Sequence, residues 1–132
     1  MNRRYTAEKY LSLVKYAKEK IPDVSFTSDV IVGFPTETEE DFSETLNLVK
    51  EVGFSGLYTF LFSPRPGTPA ATMDGQIPPD IKSERFNRLI ALQNENSVKA
   101  NEKYLGKTVE VLVEGYPDGD RENMTGRTED NT

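Results

Sequence analysis

Neither cysteine nor histidine occurs anywhere in this chain, and tryptophan is also missing. The first two absences exclude the most. Without a thiolate or an imidazole, these residues can assemble no disulfide, no cysteine nucleophile, no imidazole base and no zinc site. Any metal chemistry would rest on carboxylates alone or on ligands supplied from outside, and no metal-ligating or catalytic set is expected. Long apolar runs are lacking too. The longest are a few residues, too short to cross a bilayer, so no membrane partner is expected. The opening Met1-Asn-Arg-Arg-Tyr-Thr6 has no apolar core after its charges and does not read as a secretion signal, which makes a cytoplasmic location the expectation.

Positive charge is scarce: 16 Lys and Arg stand against 22 Asp and Glu, a formal net of −6. That balance argues against a free-standing nucleic-acid binder, because phosphate attraction calls for a basic surface. The imbalance is uneven, however. Residues 81–107 carry six basic and three acidic side chains, whereas residues 108–132 carry two and seven. With 36 % hydrophobic and 29 % charged residues, the chain can bury a core and is not disordered throughout. Its 132 residues suit one domain plus a fragment.

Helical and extended patterns alternate along the chain. Tyr10, Leu13, Val14, Ala17 and Ile21 recur at helical spacing between the cap Thr6 and the stop Pro22, predicting a helix over 7–20. Residues 24–32 are rich in β-branched side chains, end at Gly33, and read as a strand. Thr38 with Asp41 has the form of a capping box. It opens a helix whose stripe is Phe42, Leu46 and Val49 and which Gly53 ends. A strand over 56–62 follows. Pro78-Pro79-Asp80 opens a third helix running to about Tyr104, with Ile81, Phe86, Leu89, Ile90 and Leu92 as its stripe. Beyond Asn94 that helix turns polar and reads as an exposed connector. Residues 107–114 form a last strand, and Thr125-Gly-Arg-Thr128 is a short polar run within an acidic tail.

Two strands joined by a helix form a parallel crossover unit, right-handed in nearly all cases. Both following loops, Gly33-Phe-Pro35 and Ser63-Pro-Arg-Pro-Gly-Thr-Pro69, then leave the carboxyl ends of parallel strands, on the rim where such folds bind ligands. Strand alternation puts Thr27, Asp29, Ile31 and Gly33 on one face and Ser28, Val30 and Val32 on the other, under helices. On the second strand the matching polar parity is expected to be Thr59, Leu61 and Ser63. Asp29, in an otherwise apolar strand, is either held by neighbouring groups or contacts a polar ligand. Glu37 lies in the rim loop, where a helix-opening acid favours the dipole. Arg65 sits between two prolines on a stiff mount, as a solvated turn residue or as an anion contact. Glu39-Glu40-Asp41 serves capping and solubility. Two parallel strands fall short of a closed barrel of about eight, so the sequence reads as cut at both ends.

Several of these stretches together resemble the radical S-adenosylmethionine methylthiotransferases. They are Arg3-Arg-Tyr-Thr6, Asp29-Val-Ile-Val-Gly-Phe-Pro35, Glu37-Thr-Glu-Glu-Asp-Phe42, Ser63-Pro-Arg-Pro-Gly-Thr-Pro-Ala70, Leu92-Gln93, residues 106–114 and Gly126-Arg-Thr128. Within that family the pattern is most similar to the type that modifies isopentenyl-adenosine in tRNA. Relatives acting on a ribosomal protein or on threonylcarbamoyladenosine in tRNA stay open as alternatives. The resemblance implies an α/β fold: a partial, half-barrel of parallel β/α units over residues 1–103, then a truncated all-β, OB-like TRAM segment, an RNA-binding barrel, over 104–132. It implies S-adenosylmethionine and [4Fe–4S] clusters as cofactors of the full-length enzyme, with tRNA and the other half of the barrel as partners. By position, Ile31 and Gly33 match the motif that lines the adenine of S-adenosylmethionine. Phe60 and Phe62 lie beside it, and Asp29 and Arg3 fall near its ribose or methionine part. Arg65, Lys107 and Arg127 are expected RNA contacts, through phosphate rather than bases.

Three rival readings remain: a self-sufficient α/β binding module, a scaffold that oligomerises through exposed strand edges, and a carboxylate hydrolase using Asp29 and Glu37. The last is disfavoured because Glu37 lies beyond a turn and has no evident partner base. Lacking every cluster ligand, the isolated chain is expected to be inactive. Incubated with iron, sulfide, S-adenosylmethionine and tRNA, it should yield no methylthio product, and cluster-dependent turnover would refute this.

Overall fold

The structure, a computed structural model, describes residues 4–130. Helix α1 (Ala7–Lys20) starts where the Thr6 hydroxyl accepts a hydrogen bond from the Lys9 amide and stops at Ile21, before Pro22. Its inward residues are Tyr10, Leu11 and Val14, while Leu13 and Ile21 are exposed. The expected stripe is thus turned slightly about the helix axis. Leu11 rather than Leu13 lies beside Val14 on the covered side, three residues away on the same face.

Strand β1 (Thr27–Val32) pairs in parallel with β2 (Gly56–Leu61), from Thr27 opposite Gly56 to Val32 opposite Leu61. Residues 24–26, expected in the strand, lie outside it because β2 begins only at Gly56 and offers them no partner; Ser55 closes that end, its N and Oγ both donating to Phe26 O. Helix α2 (Glu39–Val52) makes the crossover. Its capping box forms as the sequence indicates: Thr38 Oγ1 accepts from Asp41 N at 3.1 Å and Asp41 Oδ2 accepts from Thr38 N at 2.8 Å. Gly53 ends it at φ 65°, a left-handed conformation that glycine adopts without a Cβ penalty.

Helix α3 (Pro79–Glu102) packs on α2 and on both strands, completing a core of Val14, Val32, Phe42, Val49, Val52, Phe54 and Leu89. Its buried residues are Arg85, Leu89, Gln93 and Asn96, only one of them apolar. Beyond Asn94, where an exposed connector was expected, Asn96 is buried and Ser97 half-buried, so this half of α3 also packs inward. Gln93 Nε2 donates to Phe54 O at 3.0 Å, Asn96 Nδ2 to Val49 O at 3.2 Å and Ser97 Oγ to Ser55 O at 3.1 Å. These amides and this hydroxyl serve carbonyls at the end of α2 and in the turn into β2; Val49 O also accepts from Gly53 N at 3.1 Å, so Asn96 gives it a second donor.

Helices cover one face of the β1–β2 ladder. The other is exposed and carries Thr27, Asp29 and Ile31 beside Tyr58 and Phe60. Partners in a parallel ladder share a face, so the register corrects the expected parity of β2. Thr59 pairs with Val30 on the covered side, and Tyr58 and Phe60 join Asp29 and Ile31. Among the described residues, β1 and β2 form a two-stranded sheet. A separate antiparallel hairpin, β3 (Leu112–Gly115) with β4 (Thr125–Arg127), follows α3. Residues 107–111, expected to extend β3, have no opposing strand because β4 is three residues long.

The hairpin end is tied back to the helices. Asp130 Oδ2 accepts from Lys103 Nζ at 2.7 Å and from Ser25 Oγ at 2.9 Å. Burial raises the Asp130 carboxyl, but hydrogen bonds from Lys103, Thr128, Tyr104 and Ser25 outweigh it and hold the group well below the usual carboxylate range. No helix among the described residues is long and apolar enough to cross a membrane.

Replacing Gln93 by alanine strips the Phe54 carbonyl of its donor in a buried site, which costs about 1–3 kcal/mol. Urea unfolding of Q93A should show this loss, while N94A, an exposed neighbour on the same helix, should stay within about 0.5 kcal/mol of the parent. Equal behaviour of the two variants would show that the Gln93–Phe54 bond does not brace the helix.

Candidate functional site

At the carboxyl end of β1 the chain turns sharply at Gly33, buried at φ 78°, and again at Thr36, at φ 70°. The turn closes with Glu37 N bonded to Phe34 O at 3.0 Å, and the Glu37 side chain doubles back beneath it. Gly33 N donates to both Glu37 carboxylate oxygens at 3.2 Å. Arg85 Nη1 meets the same carboxylate at 2.8 Å and the Glu37 carbonyl at 3.0 Å. Both side chains of this pair are nearly enclosed, 6 % exposed for Arg85 and 15 % for Glu37. Glu37 is therefore more than a helix-opening acid: it is the post that holds the strand-end turn.

The arginine face of α3 extends the network outward. Arg85 Nε lies 3.3 Å from Glu39, and Arg88 Nη1 lies 2.7 Å from Glu39 and 3.2 Å from Glu84. The Arg88 hydrogen bond pulls the Glu39 carboxyl below its ordinary value. Both guanidiniums lie over the Phe42 ring, at 5.7 and 5.0 Å from its centroid.

The second loop begins where Phe62 N extends the ladder to Val32 O at 2.8 Å and the Phe62 ring meets Phe34 edge-on at 5.2 Å. The proline-rich turn is pinned by Thr68 Oγ1 donating to Arg65 O at 2.8 Å, then by a short 3₁₀ turn at Pro69–Ala71. Gln76 Nε2 closes the loop on itself through Ala70 O and Met73 O, each at 3.0 Å. The two loops are joined directly: Thr36 N donates to Gly75 O at 2.8 Å.

Between them the exposed sheet face opens into a cavity of about 690 Å³, whose walls include Asp29, Ile31, Phe34, Phe60, Phe62 and Arg65. Neither the Asp29 carboxylate nor the Arg65 guanidinium bonds a side chain or backbone group among the described residues, so both stand free to meet a ligand. Aromatic and aliphatic walls with one carboxylate and one guanidinium suit a flat heteroaromatic ligand that carries hydroxyl or amino donors and an anionic group. Among the described residues no cluster of three carboxylates could hold a metal ion.

The expected site residues divide in an unforeseen way. Asp29, Ile31, Phe60 and Phe62 come together, with Gly33 at the turn behind them, and Arg65 joins this group rather than the other two basic residues. Lys107 lines a different cavity of about 410 Å³ with Lys103, Tyr104 and Asp130. Arg127 pairs with Glu114 at 3.1 Å on the hairpin. Arg3 lies outside the described residues. Sequence reasoning missed Arg85, Phe34 and Tyr58. The first had a signal, its position four residues before Leu89 on α3. Tyr58 needed the strand register.

This geometry belongs with what sequence comparison finds. The Radical SAM superfamily pattern matches residues 1–49, which end in α2. Over nearly its whole length the chain is also similar to proteins named tRNA-2-methylthio-N(6)-dimethylallyladenosine synthase. That of Acetivibrio thermocellus is 54 % identical over 131 residues, covering 99 % of this chain and 27 % of the relative. That of Clostridium beijerinckii is 55 % identical over 128 residues, covering 97 % and 28 %, and that of Alkaliphilus oremlandii 53 % over 131 residues, covering 99 % and 28 %. The chain thus spans about a quarter of the length of the curated relatives it matches. The resemblance drawn from its motifs holds: first to the radical SAM class, then in particular to its tRNA-2-methylthio-dimethylallyladenosine synthases.

Removing one member of the Glu37–Arg85 pair leaves a charge enclosed without its partner, a loss of about 3–5 kcal/mol for a fully buried pair. R85M should therefore destabilise the chain by about 3 kcal/mol in urea unfolding, and the double variant E37M/R85M should recover a large part of that loss. A loss of under about 0.5 kcal/mol in R85M would show that the pair is not what holds the turn.

Proposed function

We propose that this chain is a segment of a radical S-adenosylmethionine enzyme that adds a methylthio group to the adenine of N6-isopentenyladenosine (dimethylallyladenosine) in tRNA. The observation that carries the reading is the open sheet face, where a carboxylate and a guanidinium without partners among the described residues flank apolar walls at the mouth of two parallel strands. Bound S-adenosylmethionine, with a [4Fe–4S] cluster whose cysteine ligands must come from outside this chain, supplies the radical chemistry.

In this reading the chain's own residues bind and orient. Ile31, Phe60 and Phe62 give the adenine an apolar wall, and the free carboxylate of Asp29 accepts hydrogen bonds from the ribose hydroxyls or the methionine ammonium. Gly33 lets the backbone turn close to the ligand, and the Glu37–Arg85 pair keeps that turn in place. Arg65, on its stiff mount at the lip, and Lys107, beyond α3, take tRNA phosphates. Arg127 would exchange its Glu114 carboxylate for a phosphate.

Residues 1–103 make up the radical SAM segment and 104–132 the beginning of a TRAM barrel. That division is supported by the β3–β4 hairpin forming a sheet separate from β1 and β2. The high identity to the dimethylallyladenosine synthases favours that tRNA substrate over the ribosomal-protein or threonylcarbamoyladenosine alternatives.

A hybrid tests this directly. The chain replaces the matching stretch of the Acetivibrio thermocellus synthase, and tRNA nucleosides from cells relying on the hybrid are analysed by mass spectrometry. The 2-methylthio derivative of dimethylallyladenosine should form, and D29A should abolish most of it. A folded, cluster-loaded hybrid giving no product would refute the proposal. Product appearing instead on threonylcarbamoyladenosine or on a ribosomal protein would move the chain to a sister activity.

A further inference from the structure

We infer that Lys82 is a positioning residue for the ligand cavity, a role that deepens the proposed function and rests on that reading. Lys82 lies in the first turn of α3, where the helix dipole disfavours a cation, so helix stability does not account for it. Its side chain instead reaches the two strand ends at once. The stem lies against Gly33, where an added Cβ would come within 2.5 Å of Lys82 Cγ and 3.0 Å of Cδ. The ammonium donates to Phe62 O at 3.1 Å and sits 5.3 Å from the centroid of the Phe62 ring.

One side chain therefore backs the turn after β1 and caps the first carbonyl after β2. Phe62 in turn meets Phe34 edge-on, so the ammonium fixes two of the rings that wall the cavity. Arg85, three residues further along the same face of α3, holds the other side of the Gly33 turn through Glu37. The helix behind the sheet thus sets the width of the mouth from two points. Lys82 touches no ligand in this scheme. It acts through Gly33 and Phe62.

The test is an NMR-detected titration of the full chain with S-adenosylhomocysteine, which needs no cluster, taken into the millimolar range. K82M keeps the stem over Gly33 but deletes the ammonium. Loss of a charge-assisted hydrogen bond that fixes the wall should weaken binding about tenfold. K82R, which restores the cation, should recover most of the affinity, and K99M, removing the same charge from an exposed turn of α3, should leave it unchanged. The Phe62 and Phe34 ring signals should shift in ligand-free K82M, with far-ultraviolet dichroism unaltered. Equal binding by K82M and the parent would overturn the role of Lys82 while leaving the cavity assignment intact, as would an equal loss in K99M. No binding by the parent chain would overturn the cavity assignment, and the Lys82 proposal with it.

Discussion

A guanidinium enclosed among helices must find carboxylate and carbonyl oxygens or cost several kcal/mol. Arg85 finds them mainly at Glu37 in the rim loop, with a further contact to Glu39 where α2 begins. Its contacts with the Glu37 carboxylate and carbonyl fix a residue whose other bonds go to the Gly33 amide, so one buried pair sets where β1 stops and how the chain leaves it. The direction of the turn then decides where Phe34 lies, and Phe34 meets Phe62 from the neighbouring strand. The mouth of the cavity is in this sense built from behind, by a helix that never faces it.

Helix α3 braces the unit along its whole length by one repeated device. A polar side chain on its inner face bonds a backbone carbonyl of another segment: Arg85 at the rim, Gln93, Asn96 and Ser97 at the α2–β2 turn. Each bond is worth only about 1 kcal/mol net. Leaving the Phe54 and Ser55 carbonyls buried without these donors would cost more. The result is a rigid back and an open front. Asp29, Ile31, Tyr58 and Phe60 are exposed on a sheet face that the helices leave uncovered, as expected of a surface built to meet something other than this core.

Much of this was legible from local rules. The Thr38–Asp41 capping box, the Gly53 stop and the parallel pairing of two strands across a helix each have a sequence signature, and each formed. What failed did so for a common reason. Hydrophobic patterning cannot see burial achieved through hydrogen bonds, so Asn96 and Ser97, beyond Asn94, passed for part of an exposed connector. Face assignment on β2 failed because parity within one strand says nothing of register against its neighbour. The partner of Glu37 was missed because it lies 48 residues away. Asp29, Ile31, Phe60 and Phe62, grouped through family resemblance, line one cavity, and Arg65, grouped with the RNA contacts, lines it as well.

The mouth of the cavity depends on the Gly33 amide being held by the Glu37 carboxylate, and hydrogen exchange at that amide reads this bond directly. In the parent chain the Gly33 amide should exchange as slowly as those in the middle of the β1–β2 ladder, although it lies beyond the end of β1. In E37Q, where the carboxylate is lost, protection should fall selectively at Gly33 while the ladder amides keep theirs. A Gly33 amide exchanging at the rate of an open loop in the parent would show that the Glu37 carboxylate does not hold the turn.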